Sequence, residues 1–188
     1  MDKVKIKNYP VGPFPVVIAG VEVDGRPNYV TVGATGVVCL EPILYISLKS
    51  DHYSTRGVHE NGFFSVNIPS ADMVQKTDYC GIVSGNTTDK SGVFTPFYDA
   101  IGRAPLIAEC ALNFLCTVIK SIPVSGFEMF LGEIVAAYGN ESCLSEGKPD
   151  PAKIDPMMLL GTSYCGVGRV LGKVFREGKK RGDPQAAP

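Results

Sequence analysis

The densest set of reactive side chains is the run Ser47-Leu48-Lys49-Ser50-Asp51-His52-Tyr53-Ser54-Thr55-Arg56. Its first residues end an apolar strand and its last residues begin a short helix. A helix N-terminus leaves backbone N–H groups unpaired and carries partial positive charge, so it suits a phosphate. Ser54 and Thr55 add hydroxyl donors, and Lys49 or Arg56 adds positive charge. Each hydrogen bond to a charged group contributes about 1.5–3 kcal/mol. Three or four of them supply much of a micromolar affinity, about 8 kcal/mol. The same residues equally describe a capped surface helix, and the segment alone does not choose between the two.

Two further segments carry weaker signals. Cys80-Gly81-Ile82-Val83-Ser84-Gly85 with Asp89-Lys90 places small residues after a helix and then a charged pair. Taken alone, it reads as a helix C-cap and a solvated loop. Residues 28–38 contain Gly33 and Gly36, where the backbone could approach a flat ligand. Taken alone, this stretch reads as a bulged barrel strand. Gly166-Val167-Gly168-Arg169-Val170-Leu171-Gly172 has the look of a dinucleotide glycine fingerprint. That motif requires a following βαβ unit and an acidic residue about 20 positions on, and neither follows here.

Other chemistries find little support. None of the six cysteines forms a C-x-x-C pair, and most sit among apolar residues, as buried reduced thiols do. His52 and His59 have no cysteine nearby, so no metal site is expected. No Walker loop or Ser–His–Asp arrangement is legible. The net charge of -1 creates no field for nucleic acid or anionic lipid. No apolar run reaches the roughly 18 residues of a membrane span. Residues 3–10 lack the apolar core of a secretory signal, so a cytoplasmic location is expected.

The elements that must position these residues read as mainly β. With 188 residues, 45% hydrophobic and 20% charged, one domain over residues 1–179 is expected, followed by a disordered tail at 180–188. Residues 14–23, 28–40, 43–48, 63–68, 111–119 and 130–138 read as strands, with a tight turn at Asp24-Gly25 and a connection over 123–126. Helices are expected over 53–60, ending near Gly62, and from Ser70 and Asp72 to about residue 83. Residues 84–92 and 141–155 read as loops, 159–170 as mixed structure, and 171–177 as a short final helix. Hairpin-spaced strands with short helices suggest an antiparallel barrel with helical insertions.

Taken in order, six segments resemble the flavin reductase-like family, and flavoredoxins within it. They are Asp24-Gly25-Arg26-Pro27-Asn28, Ser47-Leu48-Lys49, Phe64-Ser65-Val66-Asn67-Ile68-Pro69-Ser70, Ser84-Gly85 with Asp89-Lys90, Phe130-Leu131-Gly132-Glu133-Ile134, and Tyr164-Cys165-Gly166-Val167-Gly168. The resemblance covers residues 15 to about 179. It implies a Greek-key FMN-binding split β-barrel, a homodimer, and FMN bound without a covalent link near the subunit interface. NAD(P)H would be the electron donor and a redox protein a partner; the alternative is a non-enzymatic electron carrier. The resemblance implies that Asn28 and Lys90 lie at the flavin, Ser54 and Thr55 at its phosphate, and the backbone of Ala34, Thr35, Gly36, Val37 and Val38 along its ring. His52 would donate to the phosphate, in protonated form. Thr31, Ser47, Leu48, Lys49, Asn67, Cys80, Gly81, Ser84, Phe127 and Leu159 complete the implied contacts. Relatives often carry an aromatic residue at Ala34, Thr at His52 and His at Phe127. These departures imply a more open ring environment and an altered redox partner.

Overall fold

The structure is a computed structural model and describes residues 2–6, 10–39 and 41–178. The chain runs through β1 (Phe14–Pro15), β2 (Val17–Val23), β3 (Arg26–Val32), β4 (Thr35–Val37), β5 (Ile43–Lys49), α1 (Tyr53–Asn61) and β6 (Phe63–Ile68). A 3-10 turn at Ala71–Met73 leads into α2 (Val74–Ile82). Then come β7 (Pro96–Phe97), β8 (Leu106–Ile107), β9 (Leu112–Val124), β10 (Phe127–Gly139), β11 (Leu144–Ser145), β12 (Lys148–Pro149), α3 (Pro151–Ile154), β13 (Met157–Leu160) and β14 (Ser163–Gly166).

Seven strands form one antiparallel sheet in the order β3-β2-β6-β9-β10-β5-β4. Its two edge strands, β3 and β4, are consecutive in the chain and separated by only Gly33 and Ala34. A sheet whose opposite edges are joined by two residues has to curl. The result is the split half-barrel expected from the sequence. Val21, Val23, Ile46, Phe64, Cys116 and Phe130 fill its interior.

Two helices cover β2 and β3, and this is what builds the candidate site. Helix α1 lies on β2, and Gly57 permits the approach: a Cβ there would stand 2.6 Å from the Glu22 carbonyl oxygen. Helix α2 packs on the other side of β3, where Tyr29, Met73, Cys80 and Phe94 form a second apolar cluster. The Asp24–Gly25 turn has φ of 52° and 72°, the left-handed pair that suits a two-residue hairpin. It sets the β2–β3 register, Val23 opposite Arg26 and Val21 opposite Asn28.

Several expected elements need correction. The β9–β10 connection is Ser125–Gly126 alone, with φ of 48° and 82°, and both strands run 13 residues. Pro123 fits inside β9 because β6 pairs only as far as Thr117, so beyond it one side of β9 faces no partner strand. Residues 141–155 are not a bare loop. They hold a 3-10 turn, the β11–β12 hairpin and α3, whose N-cap Asp150 accepts from the Ala152 N–H at 3.0 Å. Residues 171–177 form no helix: turns occupy 174–177, every side chain over 171–178 is exposed, and Phe175 has φ 61°. A helix that short needs a buried face, and this segment has none. The expected tail at 180–188 lies outside the described residues. No helix among the described residues is long and apolar enough to cross a membrane.

Candidate functional site

Strand β5 delivers the chain into α1 through bonds to one carbonyl. The Lys49 carbonyl accepts the His52 N–H at 3.0 Å and the Thr55 hydroxyl at 2.8 Å. His52 occupies the N-cap, but its side chain caps nothing, and the first turn contains no acidic residue. The N–H groups of Tyr53 and Ser54 have no intrahelical acceptor. Ser54 is 2% exposed, and its hydroxyl oxygen accepts from Asn28 Nδ2 at 2.8 Å. The hairpin register thus brings Asn28 of β3 against the first turn of α1.

Lys90 reaches the same place from the loop after α2. It is 3% exposed and forms no ion pair among the described residues; its ammonium donates to the carbonyls of Val83 at 3.0 Å and Cys80 at 3.4 Å. A cation at a helix C-terminus is favourable, which helps hold it there. A lysine has three donors, so one remains. Burial pushes the Lys90 pKa down, with an opposing contribution from Cys80. A buried ammonium without a carboxylate is costly unless an anion joins it.

Around this ammonium lies a cleft of about 370 Å³ lined by Val30, His52, Tyr53, Ser54, Cys80, Gly81, Val83, Ser84 and Gly85. His52 Nδ1 is buried there with no hydrogen-bond partner among the described residues. Burial pushes the His52 pKa down, Asp51 opposes this, and Lys49 and Lys90 reinforce it. Burial therefore disfavours the protonated form of the His52 ring. The Cys80 thiol is pushed up to about 11 by burial, which makes it an apolar wall rather than a nucleophile.

The expected residues fall into three groups. Asn28, His52, Ser54, Cys80, Gly81, Ser84 and Lys90 converge on this polar cleft and the cleft adjoining it. Ala34 and Leu159 lie instead in an apolar cleft of about 770 Å³, shared with Phe14, Gly33 and Tyr45. Val30 lines the first cleft and Ala34 the second, so along the chain they lie at most about 13 Å apart. Val37, Val38 and Phe127 are exposed, Gly36 is half-buried, and Phe127 sits opposite Lys49.

The third group is engaged in the scaffold. Leu48 is in the core, the Thr35 hydroxyl donates to the Tyr45 carbonyl at 2.7 Å, and the Ser47 N–H donates to the Ala34 carbonyl at 2.9 Å. The Thr31 hydroxyl donates to the Thr77 carbonyl, tying β3 to α2. Asn67 is 0% exposed and lines neither cleft. Its Nδ2 donates to the Ile18 carbonyl and to Ser65 Oγ, both at 2.9 Å. Its Oδ1 accepts from the Ile107 N–H at 3.0 Å and from Asn113 Nδ2 at 2.9 Å. An asparagine in that state holds strands together and has nothing left for a ligand.

The first cleft's lining residues absent from the contacts expected from sequence are Val30, Tyr53, Ile82, Val83 and Gly85. Tyr53 lines both polar clefts; its hydroxyl donates to Asp24 at 3.1 Å and the Arg56 guanidinium lies 4.7 Å from its ring centre. Gly85 stands so close that a Cβ would meet Asn28 Oδ1 at 2.7 Å and Tyr53 Cδ1 at 2.8 Å. The Ser84-Gly85 pair was a legible signal, but its packing against Asn28 depends on the fold. Among the described residues, no group of three or more His, Cys, Asp or Glu could hold a metal ion.

Known proteins share this architecture. Residues 12–168 match the model of the flavin reductase like domain. The chain superposes on the flavoredoxin of Methanosarcina acetivorans with a TM-score of 0.91 at 42% identity, covering 96% of this chain and 100% of that one. For the flavoredoxin of Desulfovibrio vulgaris (Miyazaki F) the values are 0.87 and 32%, over 95% and 100%. An FMN-binding protein from Thermus thermophilus shares the fold, with a TM-score of 0.78 at 18% identity over 92% and 100%. A split half-barrel matched over residues 12–168 and these two flavoredoxin likenesses establish that the chain belongs to the flavin reductase-like domain family.

Proposed function

We propose that this chain binds FMN without a covalent link and works as a small flavin-dependent oxidoreductase. The observation that carries the reading is Lys90, a buried ammonium with a spare donor and no carboxylate partner among the described residues, beside the uncapped N-terminus of α1. In this reading the N–H groups of Tyr53 and Ser54, the Ser54 hydroxyl and Lys90 hold the phosphate. Asn28 orients Ser54. The apolar cleft at Ala34, Tyr45 and Leu159 borders the ring. The small side chain of Ala34 leaves that cleft open.

When bound, the flavin supplies hydride or single-electron chemistry, and the protein needs no side-chain acid, base or nucleophile. Lys90 would place positive charge beside the phosphate and keep water out of its side of the cleft. The donor we propose is NAD(P)H. Steady-state oxidation of NADH or NADPH with FMN would support a reductase. The likeness to two flavoredoxins favours a second reading, an electron carrier of flavoredoxin type with a redox-protein partner. Reduction by a ferredoxin-like donor, with neither nicotinamide oxidised, would establish that reading instead.

A homodimer belongs to the same proposal, with the protein in the cytoplasm. Val37 is 75% exposed, and Val38, Ile119, Val124 and Phe127 are also exposed apolar side chains. Light scattering that returns twice the chain mass supports it. The direct test of cofactor binding is the visible spectrum of the protein with added FMN. Perturbed flavin bands with stoichiometric retention support the reading, and free-flavin bands contradict it.

A further inference from the structure

The walls of the apolar cleft match only part of a flavin ring. About 400 Å³ of the cleft admits the centre of a water molecule, within the range of small-ligand sites. Pro10, Phe14, Gly33, Ala34, Leu159 and Gly161 line it and bring no polar side-chain atom. Among the described residues of its lining, Tyr45 alone brings one, a phenol hydroxyl. A flavin ring has an apolar end, but its other end carries two carbonyls and an imide N–H. Polar atoms placed among apolar walls cost affinity unless a hydrogen bond meets them.

We infer that the Tyr45 hydroxyl donates to a carbonyl of the flavin ring, and that Tyr45 thereby sets affinity for the ring independently of the phosphate. The inference rests on the reading that the ring lies in this cleft. Tyr45 is not among the contacts that the family resemblance implies. The sheet fixes where its phenol goes. Leu44, Ile46 and Leu48 of β5 enter the core, so half-buried Tyr45 takes the other face. Its partner in register is Gly36 of β4. A Cβ at Gly36 would stand 3.2 Å from Tyr45 Cε1 and 3.6 Å from the hydroxyl oxygen. The phenol therefore lies against bare backbone of β4, at a place where any larger residue would displace it. The pairing is closed on both sides of Gly36: the Ser47 N–H donates to the Ala34 carbonyl and the Val38 N–H to the Ile43 carbonyl, each at 2.9 Å. The Thr35 hydroxyl donates to the Tyr45 carbonyl at 2.7 Å. A donor held this way needs little ordering when a ligand arrives. A tyrosine that only fills space acts through its ring, which phenylalanine keeps. A ligand contact acts through the hydroxyl, which phenylalanine lacks.

The test titrates flavin-free wild type, Tyr45→Phe and Lys90→Met with FMN and with riboflavin, followed by quenching of flavin fluorescence. Tyr45→Phe is expected to weaken both flavins by the same factor, about fivefold to tenfold, with its melting temperature unchanged. Lys90→Met is expected to weaken FMN alone. Infrared difference spectra of bound FMN should show a flavin carbonyl stretch at higher frequency in Tyr45→Phe than in wild type, as loss of a hydrogen bond requires. Affinity and carbonyl frequencies unchanged in Tyr45→Phe, while Lys90→Met weakens FMN, overturn this inference alone and leave the phosphate reading standing. Affinity and melting temperature that fall together, with the carbonyl frequencies unmoved, mark a packing role and also overturn it. A wild-type protein that binds neither flavin overturns the cofactor reading and the inference with it.

Discussion

Two buried polar clusters lie against the same sheet, and they differ in what they leave unsatisfied. Asn67, Ser65 and Asn113 lock β6 and β9 to Pro105 and β8, and Asn67 alone takes part in four hydrogen bonds. Asn28, Ser54, His52 and Lys90 are also buried or half-buried, yet among the described residues His52 Nδ1 has no partner and Lys90 has no counter-ion. A closed network spends its polar groups on the fold. An open one keeps them for something that arrives later. Burial alone does not separate the two; the count of unmet donors does.

Mutating both clusters would break or sharpen that contrast. The largest effect on stability is expected at Asn67→Ala, which strands the Ile107 N–H and the Ile18 carbonyl. A loss of about 3–5 kcal/mol should appear in urea unfolding, with flavin affinity of the folded fraction unchanged. Lys90→Met should do the opposite. A buried charge gives way to an apolar chain of similar size, so stability should move by less than about 1 kcal/mol. Flavin affinity should fall about 100-fold by fluorescence titration. If Lys90→Met unfolds the protein and leaves affinity intact, the contrast is wrong.

Smaller effects follow. Ser54→Ala removes one phosphate donor and the acceptor of Asn28, and is expected to weaken FMN about tenfold. Combined with Lys90→Ala it should remove measurable binding. Gly85→Ala would drive a methyl into Asn28 and Tyr53 and should weaken FMN about fivefold with little change in melting temperature.

The smallest effect concerns pH. Burial lowers the His52 pKa in the folded state, so the unfolded chain binds its proton more readily. The stability this contributes is complete above the unfolded value, near 6.5, and is lost as pH falls below it toward the lower folded value. Flavin-free protein should therefore weaken between about pH 7 and pH 5, and His52→Asn should flatten that part of the profile. A profile that is identical in both proteins would remove His52 from the cleft.

Much of the fold was legible because strand and helix periods are local. Residues 63–68 emerge as β6 with the expected bounds, and α1 ends at Gly62, whose φ of 68° makes it the C-cap. The phosphate seat was half legible: hydroxyls and cations at a strand–helix junction are a local pattern. Lys90 was not. In the run Asp89-Lys90-Ser91 it reads as a solvated lysine, and only the closure of the 84–90 loop over α2 buries it. Asn67 failed the other way. A polar residue in an apolar strand invites a functional reading, but its partners Ile107 and Asn113 are 40 and 46 residues away. The final segment failed because a helical pattern without a buried face does not fold.

The most direct test compares FMN with riboflavin, which lacks the phosphate, on wild type and on Lys90→Met. The account predicts that wild type favours FMN by about 100-fold and that Lys90→Met loses this preference while its riboflavin affinity is unchanged. Equal affinity of wild type for FMN and riboflavin would contradict it.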